Sequence, residues 1–134
     1  MGLSADDTTN ILQLYSRYST AIDTGDGAGF ANCFVTDGYF DSGISVIEGQ
    51  TGIAQFADET HSAMPGMRHN ATNIVIQPLD QDGESKDLAS GSAFLIGYVV
   101  DGGYKVIVTG RYLDELVKTD EGWRFSKRVF KMDS

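Results

Sequence analysis

The sequence predicts an α+β domain, with helices first and strands after. Three observations carry this. Ile11, Tyr15, Tyr18 and Ile22 recur at spacings of four, three and four, which is one face of a helix. The second half is a series of long β-type segments separated by tight polar turns. No repeat, low-complexity tract or linker divides the 134 residues, a length that fits a single domain over 1–134.

Asp7, Thr8 and Thr9 are N-cap candidates for the first helix, which ends near Asp23, where Thr24-Gly25-Asp26-Gly27 breaks it. A short second helix is expected over roughly Ala28 to Phe34, then a turn at Thr36-Asp37-Gly38. Tyr39-Phe40-Asp41 and Ile44 to Ile47 read as two short strands around Ser42-Gly43. A third helix is expected near Thr51 to His61, with Ile53 and Phe56 inward, and Met64-Pro65-Gly66 ends it. A long antiparallel meander follows: Arg68 to Leu79, Leu88 to Val100, Tyr104 to Val117 and Trp123 to Met132. Its connections are a polar loop at Asp80 to Asp87 and tight turns at Asp101-Gly102-Gly103 and Thr119-Asp120-Glu121-Gly122.

Ala93-Phe94-Leu95-Ile96 and Val106-Ile107-Val108 are continuous apolar runs, so both sheet faces should be covered. Three helices can cover one face. A homo-oligomer, dimer or trimer, is the expected cover for the other.

The formal net charge is −9. Such a surface repels phosphate backbones and anionic lipid, so neither nucleic acid nor membrane is an expected partner. Arg124, Lys127, Arg128 and Lys131 read as strand-edge charges. No stretch approaches the ~20 apolar residues of a membrane span. The start, Met1-Gly2-Leu3-Ser4-Ala5-Asp6-Asp7, fits neither a signal peptide nor a myristoylation site. Cys33 is the sole cysteine, which excludes an internal disulfide and suits a reducing cytoplasm. Its apolar neighbours make it a small core residue.

Two histidines eight residues apart and one distant cysteine do not make a zinc set. There is no nucleophile elbow, phosphate loop or dinucleotide fingerprint. No metal or cofactor is therefore expected.

Leu14-Tyr15-Ser16 with Ala21-Ile22-Asp23, Met67-Arg68-His69-Asn70-Ala71-Thr72-Asn73, Gly110-Arg111-Tyr112-Leu113-Asp114-Glu115 and Gly122-Trp123-Arg124-Phe125-Ser126-Lys127-Arg128 together resemble the SnoaL-like branch of the nuclear transport factor 2 superfamily. The resemblance covers nearly the whole chain. It implies a cone, with a curved antiparallel sheet wrapped around a pocket and three N-terminal helices. Within the branch, the chain is most similar to the group of scytalone dehydratase, hexachlorocyclohexane dehydrochlorinase and bile acid dehydratase. That resemblance implies a paired Asp23 and His69, a tyrosine at Tyr18 and an arginine at Arg128. The second pocket histidine of scytalone dehydratase has no match, since His61 lies elsewhere, on the third helix.

These residues suit elimination. Neutral imidazole can take a proton from carbon near neutral pH. A carboxylate on one ring nitrogen fixes the tautomer and steadies the imidazolium that forms. Tyr18 could donate to a leaving hydroxyl or hold a carbonyl, and Arg128 stays charged when buried and could stabilise an anion. Strand alternation puts His69 on one face with Met67, Ala71, Asn73 and Val75. Asp23 lies about 140° around an ideal helix from Tyr18, so the two converge only if the helix ends near Asp23. Tyr39, Phe56, Met67, Asn73 and Tyr98 are the expected substrate-binding residues.

The expected function is a cofactor-free dehydratase-like lyase acting on a small apolar ring compound, such as a steroid, polyketide or alicyclic. An isomerase or polyketide cyclase using the same base, or a non-catalytic small-molecule binder, are the alternatives.

Overall fold

The computed structural model describes residues 2–79 and 86–134. Helix α1 (Ala5–Asp23) begins earlier than expected. The Ser4 hydroxyl accepts from the Asp7 N–H, and the Asp7 carboxylate accepts from the Ser4 N–H. This reciprocal capping box makes Ser4, not Asp7, Thr8 or Thr9, the N-cap. The apolar stripe of α1 is buried as its spacing requires.

Asp26 caps the short α2 (Gly27–Ala31), which ends before Phe34 because Phe34 already belongs to β1 (Phe34–Asp41). Thr36-Asp37-Gly38 is therefore not a turn between elements but an irregular stretch within β1, where the register shifts between Phe34 and Tyr39. Then follow β2 (Val46–Glu48), α3 (Gln50–Ala63), β3 (Met67–Pro78), β4 (Leu88–Val99), β5 (Lys105–Thr119) and β6 (Gly122–Met132). The loop expected at Asp80 to Asp87 lies, but for its last two residues, outside the described residues.

The six strands form one curved sheet in the order β2-β1-β6-β5-β4-β3. Strands β3 to β6 are the antiparallel meander, and β1 joins β6 in parallel, so the sheet is mixed. The helices pack on the inner face over Ile11, Leu14, Phe30, Phe34, Ile53, Leu116 and Phe125, all of them buried. Trp123 and Cys33 are in the same core. On the outer face Phe94, Ile96 and Leu113 are exposed, so among the described residues nothing covers them. Among the described residues no helix is long and apolar enough to cross a membrane.

One irregularity reshapes the inner wall. In β3 the register against β4 shifts between Thr72 and Val75, and Asn73 adopts φ 54°. A residue is in effect inserted there. The inward series Met67, His69, Ala71 then continues with Ile74 and Ile76, which pack on the core. Asn73 and Val75 are exposed instead.

Candidate active site

The concave side of the sheet and the helices line a cavity of about 200 Å³ that opens to solvent at its rim. Its walls are mainly apolar: Ile22, Phe40, Phe56, Met67, Leu95, Val108 and Phe130. Ile44, Met64, Ile107 and Met132 line it too and are exposed, so they form the rim. The polar side chains on the wall are few: His69, Tyr18, Tyr112, Ser42 and Thr60.

Asp23 is the last residue of α1, followed by the C-cap Thr24. The helix ends where the carboxylate must turn away from the Tyr18 stripe, and it reaches β3. Asp23 Oδ1 lies 2.6 Å from His69 Nδ1, and Asp23 Oδ2 accepts from the His69 backbone N–H at 2.7 Å. The His69 and Asp23 side chains are only 10% and 13% exposed. A carboxylate on Nδ1 calls for the Nδ1–H tautomer, which leaves Nε2 with a free lone pair. His69 lines the cavity, so the structure joins an oriented imidazole to an apolar chamber.

Tyr18 and Tyr112 sit on the wall with their hydroxyls paired, and both are almost wholly buried. Burial pushes the pKa of both phenols up, and the Arg128 charge opposes that rise.

Arg128 fits neither expectation for it. It is not a strand-edge charge, being 1% exposed, and it does not line the cavity. Its pleat position on β6 points inward, and its guanidinium sits in an aromatic box. Cζ lies 3.5 Å from the ring centre of Tyr112, 4.2 Å from Tyr18, 4.4 Å from Phe125 and 4.9 Å from Tyr15. Arg128 Nε is 3.0 Å from Asp114 Oδ1, an ion pair whose alignment falls short of a hydrogen bond. The Tyr15 hydroxyl donates to the other Asp114 oxygen. Burial alone would lower the guanidinium pKa, but Asp114 and the tyrosines hold it above its ordinary value. The cation is thus kept charged, and its anion is beside it.

Phe56 and Met67 line the cavity, whereas Tyr39, Asn73 and Tyr98 do not. Tyr39 precedes the inward Phe40 on β1, so the pleat turns it outward, where Lys127 Nζ lies 5.4 Å from its ring centre. Asn73 is turned out by the irregularity in β3. Tyr98 pairs with Arg68 on the outer face, because the inward residues of β4 are Ala89, Gly91, Ala93, Leu95 and Gly97. Sequence reasoning does not single out Tyr112 and Asp114 as site partners, although Val108, Gly110, Tyr112, Asp114 and Leu116 alternate on one face. A carboxylate two residues from an aromatic, on the buried face of a strand, is the available signal.

The chain belongs to the SnoaL-like domain family, whose model matches residues 4–129. No match was found among curated proteins. Among solved structures, it is 33% identical to a Mycobacterium tuberculosis protein of unknown function, with 94% of this chain and 71% of that one covered and a TM-score of 0.81. Aln2 from a Streptomyces species is 25% identical, with 99% and 95% covered and a TM-score of 0.83. A Novosphingobium aromaticivorans NTF2-like protein with a cystatin-like fold is 23% identical, with 95% and 82% covered and a TM-score of 0.84. The last likeness concerns the fold, and places the chain in the nuclear transport factor 2-like architecture.

Proposed function

We propose that this protein is a cofactor-free lyase of dehydratase or related β-elimination type, with His69 as general base and Asp23 as its orienter. One observation carries the reading: a carboxylate-bound imidazole, 2.6 Å from its partner, on the wall of an apolar cavity. His69 Nε2 takes a proton from a substrate carbon, and the leaving group departs from the neighbouring carbon. The substrate is a small, largely apolar ring compound. A cavity of about 200 Å³ is below the ~300–1,000 Å³ common for drug-sized ligands, which favours one or two rings over a steroid. The paired Tyr18 and Tyr112 hydroxyls support a second reading, proton transfer beside a carbonyl in an isomerase or cyclase.

The test is His69→Ala, assayed on a panel of hydroxylated ring compounds for loss of water. Turnover should fall by about 10²–10⁴-fold while ligand affinity changes little. A protein that binds such compounds but turns over none of them, before or after the substitution, is a carrier. The exposed Phe94, Ile96 and Leu113 support a homo-oligomer packed through the outer sheet face.

A further inference from the structure

Four apolar side chains stand in water at the rim of the chamber, and each comes from a different element. Ile44 is on the loop between β1 and β2, Met64 is the C-cap of α3, Ile107 is in β5, and Met132 ends β6. All four are exposed, Ile44 to 85%. Apolar residues scattered singly over a surface need no explanation, but four that converge on one opening do.

Two of them are aimed by the backbone. Val108 lines the chamber, so the pleat should turn Ile107 to the outer face. Against β4 the register shifts instead. Gly97 stands opposite Val108 and Tyr98 opposite Val106, which leaves Ile107 without a cross-strand partner. This inserted residue joins Val108 on the chamber lining. Ile44 is held by its loop. The Ser42 hydroxyl accepts from the Ile44 and Ser45 N–H groups and donates to the Ser45 carbonyl, and Asp41 accepts from the Gly43 N–H. Gly43 takes φ 87° and lies against Phe130, where a Cβ would stand 3.2 Å from the ring. Short turns ordinarily carry small or polar residues, and here the most exposed position holds isoleucine.

The chamber is small enough to need this rim. Benzene occupies an apolar cavity of ~150 Å³, so about 200 Å³ holds little more than one ring. The remainder of a larger ligand crosses the opening. There it meets no charge among the four rim side chains, and the neighbouring Ser42 hydroxyl is committed to its own loop.

We propose that Ile44, Met64, Ile107 and Met132 form a specificity subsite outside the chamber, and that the substrate is a ring carrying an uncharged apolar extension, an alkyl chain or a second ring, on the side away from His69. This rests on the reading of the chamber as the site of elimination and deepens it. The reacting ring sits beside His69, and the extension lies along the rim. Contact there removes apolar surface of both ligand and protein from water, which is about fourfold in affinity for each methylene fully buried. Ile44 and Ile107 thereby set how long a substrate is accepted.

The probes are cyclohexanol and its methyl, propyl and pentyl derivatives substituted opposite the hydroxyl. Dissociation constants are read by NMR titration of the Ile22 methyl signals, since Ile22 lines the chamber and is kept in every variant. The proteins compared are the wild type and a double variant, Ile44→Ser with Ile107→Thr. Both residues are exposed, so the core is untouched and cyclohexanol should bind the two proteins within about twofold. The wild type should gain about twofold to fourfold per methylene along the series, and its Ile44 and Ile107 methyl signals should move only with the longer members. The double variant should lose most of that gain. An equal gain in both proteins overturns the proposal, because the extension then lies inside the chamber. So does a wild type that shows no gain or binds none of the probes, and so does an equal loss for cyclohexanol and its pentyl derivative in the variant. Light scattering that shows a wild-type oligomer dissociated by Ile44→Ser also overturns it, since the rim is then a subunit contact. None of these readings needs turnover. If His69→Ala kept full activity while the series behaved as stated, the elimination reading would fall and the subsite would stand.

Discussion

Asp23 holds His69 at two points at once, with one oxygen on the ring Nδ1 and the other on the backbone N–H. The carboxylate therefore fixes the ring, its tautomer and the strand that carries it. An amide at this position has only one acceptor oxygen and offers N–H where an acceptor is needed. Asp23→Asn should lower turnover by about 10²–10⁴-fold, with the imidazole present but in the wrong tautomer. Nitrogen NMR of His69 would show the proton leaving Nδ1. Full turnover in Asp23→Asn would remove the orienting role.

The boxed ion pair gives a stability prediction. Arg128→Met leaves Asp114 buried without its cation, and should cost about 3–5 kcal/mol in urea unfolding. A second change, Asp114→Leu, removes the orphaned charge. The double variant should then lose less than the sum of the single losses, and strict additivity would mean the two groups do not interact.

Asp7 governs the acid limb. The Ser4 backbone N–H is the largest influence on its carboxylate; burial opposes it, and Trp123 and Lys118 assist it. The net effect holds Asp7 well below the ordinary carboxylate range. Its folded pKa is lower than its unfolded one, so its stabilisation is full above the unfolded value, about pH 4, and fades as pH falls further. Asp7→Asn should cost about 1–3 kcal/mol at neutral pH, and its stability should change less on acidification. Parallel pH dependence in the two proteins would refute this.

How far the sequence reveals these residues varies with the physics. The α1 stripe and Asp23 are readable because helical spacing is local and Thr24-Gly25-Asp26-Gly27 is a strong stop. The pairing of Asp23 with His69 needs the family resemblance, since nothing in spacing links residues so far apart. Asn73 is misplaced because strand alternation assumes an unbroken pleat, and the irregularity before Val75 reverses it. Tyr39 and Phe40 are adjacent aromatics, so alternation leaves either one free to face inward; the pairing with β6 decides. Arg128 looks exposed in sequence because Lys127 and Lys131 are its neighbours. A buried cation is visible only once Asp114 and four rings are seen around it.

Cys33 offers a probe of global opening. Burial pushes its thiol up to about 11, and its Sγ–H contacts the Gly29 carbonyl oxygen at 3.5 Å. Little thiolate exists at pH 8, and the side chain is buried in the native state. Labelling with a disulfide reagent should proceed no faster than unfolding, and become immediate in denaturant. Rapid labelling of the native protein would show that the α2 region opens locally.

The parallel seam between β1 and β6 joins Phe34 to Phe125 across about 90 residues of chain. Phe40 on β1 and Phe130 on β6 both line the chamber, from the two strands that this seam joins. During synthesis the helices and β1 are made long before their closing strand exists. The chamber is thus completed last, by the eleven residues of Gly122–Met132, and folding must wait for contacts of high sequence separation. A nascent chain halted before β6 would expose the aromatic lining of the site to solvent and to chaperones, as a chain with its binding surface turned out rather than as a smaller version of the finished protein.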